Sequence, residues 1–198
     1  MTDMLDKVRR ALAADSRPSS DFDLNPDFIL PEGRVLRPAG VLVPLIDGPA
    51  GLEVILTKRS SALKHHPGQI AFPGGKQDEG DATVVDAALR EAQEEIALPT
   101  ALVDVMGTLP HHETVTNFLV TPVVAHVRAP FDARPEPGEV AEVFRVPLAH
   151  VADPTKFVIE GRMWRGHKRH YFTVPYGPYY IWGATARILR GLADRLAP

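Results

Sequence analysis

The sequence predicts an α+β fold. Strand-like runs of β-branched and aliphatic residues outnumber the helical stretches, and the two do not alternate regularly, as a doubly wound sheet would require. The composition is that of one ordinary globular core. Its 44% hydrophobic and 24% charged residues over 198 positions exclude wholesale disorder and fibrous repeats.

Each element has its own warrant. Residues 2–14 place Leu5, Val8 and Leu12 on one helical face, with Asp3 and Asp6 early and Arg9 and Arg10 late, as the helix dipole favours. Prolines, serines and aspartates between Ser16 and Pro38 mark an irregular lead-in, so residues 1–37 are expected to precede the main domain at 38–198. Ala39–Ile46 and Leu52–Thr57 read as a hairpin around the turn-forming Asp47-Gly-Pro-Ala-Gly51. A helix is expected over 83–96. Strands follow at Val103–Leu109, Phe118–Val127, Glu142–Val146, Lys156–Ile159 and Arg169–Val174, with a proline-broken loop at 132–138. The helix over 183–196 sets Ile188, Leu189, Leu192 and Leu196 against a side rich in arginine.

Charge and cysteine usage narrow the function. With 22 Lys and Arg against 25 Asp and Glu, the chain lacks the cation surplus of a general nucleic-acid binder. A polyanionic substrate would need local cations or metal ions. With no cysteine, disulfides, zinc thiolates and thiol nucleophiles are all excluded. The first residues lack a signal-peptide core, and the longest strongly apolar stretch, 40–46, is far short of the roughly 20 residues a bilayer requires. A cytoplasmic protein without membrane or nucleic-acid partners is the expectation, and the amphipathic N-terminal helix is a candidate contact for a homodimer.

The chemistry concentrates in Phe72-Pro-Gly-Gly-Lys-Gln-Asp-Glu-Gly-Asp81 and the helix that follows it. With Leu89 taken as zero, Val85, Ala92 and Ile96 lie within about 60° and form a buried stripe. Glu91, Glu94 and Glu95 occupy an arc roughly opposite. Glu91 and Glu95 are one turn apart, so their carboxylates can converge. Like charges at that spacing repel by a few tenths of a kcal/mol, a cost that a hard divalent ion would reverse. A solvated acidic face is the bland alternative. Pro73-Gly74-Gly75 weighs against it, because backbone without side chains lets a ligand come close beside the acidic helix.

Gly75, Asp81 and Arg90-Glu-Ala-Gln-Glu-Glu-Ile-Ala-Leu98 together resemble the Nudix box, glycine, five residues, an acid, seven residues, then Arg-Glu-aliphatic-x-Glu-Glu-x-Gly-aliphatic. Here Asp81 replaces the box glutamate, one extra residue separates it from Arg90, and Ala97 replaces the second glycine. Ile55-Leu-Thr-Lys-Arg-Ser60, Lys64, Gly68 and Phe72-Pro-Gly-Gly75 are further similar to the signature of the coenzyme A pyrophosphatase subgroup, in which Lys64 stands for an arginine. Thr116–Val124 and Tyr179–Thr185 share the likeness, which spans roughly 38–190.

The resemblance implies a Nudix-type α/β/α sandwich with a mixed sheet. It also implies Mg²⁺- or Mn²⁺-dependent hydrolysis of coenzyme A or its thioesters to 3′,5′-ADP and 4′-phosphopantetheine or its acyl form. Glu91 and Glu95 would be metal ligands, and Glu94 would complete the cluster as a ligand or as an acceptor behind it. Arg90 would orient a carboxylate. The general base is either a box glutamate, Glu94 among them, or an acid of the later loop, Glu139 or Glu142, with Glu139 preferred. Arg59 and Lys64 are the expected phosphate-binding cations, with Gly74 and Gly75 lining the substrate. Tyr179, Tyr180 and Trp182 suit either core packing or a stacked adenine. Another nucleoside diphosphate derivative, such as ADP-ribose, NADH or a dinucleotide, and a non-catalytic nucleotide sensor are the alternatives.

Overall fold

The computed structural model describes residues 2–15, 17–28, 33–164 and 166–197; Ser16 and residues 29–32 of the expected lead-in lie outside them. The elements in chain order are α1 (Thr2–Ala13), β1 (Ser19–Ser20), β2 (Arg37–Gly48), β3 (Gly51–Arg59), β4 (Ile70–Ala71), β5 (Gly74–Lys76), α2 (Val84–Ile96), β6 (Val103–Thr108), β7 (His112–Glu113), β8 (Phe118–Val127), β9 (Val140–Pro147), α3 (Leu148–Val151), β10 (Val158–Trp164), β11 (His167–Thr173) and α4 (Gly183–Leu196). Among the described residues, β1–β9 form one mixed sheet, and β10 and β11 form a separate antiparallel hairpin.

The sheet is built around β2. It runs parallel to β8 from Arg37–Phe118 to Ile46–Val127, and its other edge takes β5 at Ala39–Val41 and β3 at Leu45–Gly48. The expected hairpin closes at Gly48 and Gly51. Alternation along the strands then separates two cores. Leu42, Ile46, Ile55, Val123, Ala125 and Val127 meet Ala88, Ala92 and Ile96 of α2. Val43, Leu45, Val54, Leu56 and Val124 point the other way, toward Val8 of α1 and Ile188, Leu189 and Leu192 of α4. Each fully buried aliphatic side chain contributes about 1.5–3 kcal/mol. The result is the expected α/β/α sandwich.

The irregular lead-in is tied into the fold: β1 pairs in parallel with β7, and Arg187 of α4 holds Asp23 at 2.8 Å. Expectations for individual elements change elsewhere. The run at Lys156–Ile159 divides, because Pro154 and the Asp153 side chain, which accepts from Thr155 N, set a 3₁₀ turn through Lys156 before β10 starts. The buried stripe of α2 is rotated so that Glu95 joins Ala87, Ala88, Ala92 and Ile96 inside, leaving Val85 and Leu89 only partly buried. The helix also sits close to the sheet: a Cβ on Gly40 of β2 would lie 2.1 Å from the Val84 carbonyl oxygen. The apolar face of α1, expected as a dimer contact, is covered within the chain by α4 and β6, with Val8 fully buried and Leu5 and Leu12 packed on the same core.

Helix α2 starts from a Thr83–Asp86 capping box and ends at Ala97, whose φ of 56° is left-handed. A side chain there costs about 1–2 kcal/mol that glycine avoids. Ala97→Gly should therefore raise the thermal midpoint by about 2–4 °C, measured by calorimetry; an unchanged or lower midpoint would count against this strain.

Candidate active site

Arg90 organises the acids. Its Nε and Nη2 donate to the two oxygens of Asp81, both at 3.0 Å, and its Nη1 donates to Glu91 at 3.1 Å and Glu94 at 2.9 Å. The Asp78–Asp81 turn, closed by Asp81 N to Asp78 O at 3.0 Å, carries the short aspartate into this pairing. The extra residue before Arg90 and the shorter side chain thus act together, and the pairing holds the Asp81 carboxyl below its ordinary range. Arg90 orients carboxylates, as expected.

Beyond Arg90 lie two acids in drier surroundings. Glu95 is only 5% exposed, and one oxygen accepts the Gly74 backbone N–H at 3.1 Å. Burial, with the neighbouring charges of Glu91 and Glu139, pushes it up to about 7 against that hydrogen bond. Glu91 is likewise raised, first by burial and then by Glu94 and Glu139, although Arg90 opposes this. Gly75 faces Glu91, and a Cβ there would fall 2.4 Å from Oε1. Gly74, at φ 152°, abuts Gly40 and Val41. Gly75 thus makes room for the protein's own acid, and Gly74 for close packing on β2. Glu94 is the solvent-facing member, with its side chain 58% exposed. Among the described residues no three such side chains form a ready-made metal cage; Glu91 and Glu94 are turned onto Arg90. Carboxylates held together and displaced upward by burial and mutual repulsion are nonetheless a donor set that fits a hard divalent cation.

The segment before β5 supplies the facing wall. Thr57 Oγ1 donates to Ala71 O at 3.2 Å, fastening β4 to β3, and Gly68, at φ 70°, turns the intervening loop back so that its N–H reaches Arg59 O. Arg59 and Gly74 both border a cleft of about 1330 Å³. Lys64 is exposed on the loop and does not line it. Glu139 is exposed but held by its backbone, its carbonyl accepting from Ser60 N at 2.8 Å and its N–H donating to Glu136 O at 3.0 Å. Glu142 lines the cleft with its carboxylate already taken by the Tyr179 hydroxyl at 2.5 Å.

Sequence reasoning missed much of the cleft. Ser20, Asp21 and Leu24 of the lead-in line one side, and β10–β11 line another. Asp21 bonds the fully buried His112 at 3.2 Å and the Val115 N–H at 3.0 Å; burial alone would raise it, but these partners and the Arg169 charge hold it low. The adjacent histidines diverge, His111 to Thr121 and His112 to Ser19 and Asp21, so neither pairs with the other on a metal. Only a spacing of histidine and acid some ninety residues apart hinted at this contact, and no local pattern carries it.

The NUDIX domain family matches residues 36–164. The uncharacterized Nudix hydrolase NudL of Enterobacter sp. (strain 638) is 39% identical over 184 residues, covering 86% of this chain and 94% of its own. The protein of the same name from Cronobacter sakazakii is 44% identical over 158 residues, with 79% and 81% covered. Among solved structures, the NUDIX domain of Shewanella oneidensis NrtR, complexed with ADP ribose, shares the fold at 15% identity and a TM-score of 0.53, covering 87% of this chain and 93% of that one. No helix among the described residues is long and apolar enough to cross a membrane.

The burial of Glu95 has a pH signature in protein kept metal-free by a chelator. Glu95 ionises near 4.5 when unfolded and only near 7 when folded. Its contribution to stability is complete below the lower value and is lost as pH rises through the upper one, a change of about 3 kcal/mol. The thermal midpoint should fall between pH 5 and 8, and Glu95→Gln should flatten that slope; equal slopes in both proteins would refute the assignment.

Proposed function

Because the chain belongs to the NUDIX domain family, we propose that it is a coenzyme A pyrophosphatase, cleaving free or acylated coenzyme A to 3′,5′-ADP and 4′-phosphopantetheine or its acyl form. It is a Nudix hydrolase acting on the pyrophosphate bond of a nucleoside diphosphate derivative; coenzyme A is the finer reading. One observation carries that reading. The subgroup signature, from Ile55 to Gly75, folds into β3, the loop, β4 and β5, and so borders both the acids and the cleft.

The residues divide the work. Glu91 and Glu95, with Glu94, would hold Mg²⁺ or Mn²⁺. When bound, the ion neutralises diphosphate charge and makes water a stronger acid. Arg90 keeps the acids from splaying apart. Arg59 meets phosphate oxygens at the cleft edge, and Lys64, exposed on the 60–69 loop, is the second cation of the resembled signature. Gly74 and Gly75 allow the diphosphate to lie close to the backbone. Glu139 takes the proton from the attacking water: it lies near enough to Glu91 and Glu95 for its charge to raise both, and, unlike Glu142, its carboxylate makes no side-chain hydrogen bond or ion pair among the described residues.

Glu91→Gln should abolish hydrolysis of coenzyme A and leave the folded spectrum intact; retained turnover would remove the metal assignment. Glu139→Gln should lower kcat by about 10²–10⁴-fold, with a far smaller loss for Glu142→Gln. Products formed from coenzyme A, its 3′-dephospho form, ADP-ribose and NADH, with Mg²⁺ and with Mn²⁺, decide the substrate. A clear preference for the 3′-phosphorylated compound supports the finer reading, and a preference for ADP-ribose or NADH overturns it.

A further inference from the structure

The side of the cleft away from the acids is aromatic. Tyr171, Tyr180 and Trp182 line it together with Arg162 of β10. The Tyr171 ring lies 5.1 Å from Trp182 at 58°, and Tyr180 lies 6.4 Å away at 35°, so the rings are tilted and do not cover one another. Arg162 places its guanidinium 5.7 Å from the Trp182 ring. The Tyr180 hydroxyl donates to Glu160 at 2.7 Å, fixing the ring while leaving the residue 42% exposed. Tyr179 makes the contrast plain. It stacks flat on Phe144, 3.6 Å and 7° apart, so one face of its ring is taken by the protein itself.

This wall is tied to the acids through a short length of chain. Thr185, three residues after Trp182, donates to Ile70 O at 3.0 Å, and Gly74 donates to Glu95 at 3.1 Å. Four residue steps separate Ile70 from Gly74, at most about 14 Å of chain. A nucleotide can therefore rest its base on one end while its diphosphate meets the other.

We propose that Tyr171, Tyr180 and Trp182 bind the purine ring of the substrate, with Arg162 meeting a phosphate carried beside that ring. The assignment rests on the hydrolase reading above and deepens it. Tilted aromatic rings lining a cleft beside a guanidinium suit a flat heterocycle bearing an anion. A flexible thioalkyl arm would gain little from tyrosine hydroxyls and an exposed arginine.

The test uses the full-length protein. Trp182→Leu should raise KM for coenzyme A and for its 3′-dephospho form by about tenfold or more while kcat changes far less. Arg162→Gln, an exposed change, should raise KM for coenzyme A alone. In Trp164→Phe protein, where Trp182 is the sole tryptophan, fluorescence should be quenched by adenosine 3′,5′-bisphosphate and not by 4′-phosphopantetheine. Quenching by phosphopantetheine instead, or unchanged KM in both variants of an active enzyme, overturns the assignment. Wild-type protein that turns over no nucleoside diphosphate derivative overturns the hydrolase reading, and adenosine bisphosphate quenching then still reports on the wall by itself.

Discussion

Glu95 sits where α2 meets β5 with little water around it and one backbone hydrogen bond, from Gly74, to compensate. A buried carboxylate in that position is costly, and like charges on Glu91 and Glu139 add to the cost. Much of the local architecture exists to keep it there. Gly40 lets the helix lie against β2, Gly75 leaves space for Glu91, and Arg90 clamps the next acids to Asp81. The protein tolerates poor electrostatics to hold these acids side by side. On the proposed reading this is preorganisation for a divalent cation.

The same strand that receives Glu95 also borders the cleft, so the acids and the cleft share one rigid frame. β4 and β5 are short, but Thr57 fastens the first and β2 the second. The sites of charge and of shape are thereby fixed relative to each other by backbone hydrogen bonds, while the cleft wall is contributed by parts distant in sequence. This division suits a scaffold on which the hydrolytic centre is constant and the recognised group varies.

Local periodicity made the long elements legible. Phe118–Val127 and 183–196 coincide with β8 and α4, because each carries its own pattern of apolar residues. The box acids were legible through residue type and spacing. Three things were not. Two-residue strands such as β1 and β7 have no period to detect. Glu95 was placed opposite the apolar stripe because periodicity sees polarity, whereas in the fold it is buried against the Gly74 N–H. The lead-in looked irregular because its partners, His112, His170 and Arg187, lie more than eighty residues away. Lys64 shows the opposite limit: a motif position identifies a residue type, not where its loop holds the side chain.

The long parallel register between β2 and β8 joins segments some eighty residues apart, and a hydrogen bond from the Asn25 side-chain amide to His170 O joins segments farther apart still. Loop closure over such separations makes assembly slow compared with local helix formation. On the ribosome, the acidic helix and its neighbouring strands emerge well before β11 and α4 can meet the lead-in. The acid-bearing helix is thus synthesised first, and the cleft beside it closes only once nearly the entire polypeptide has been made.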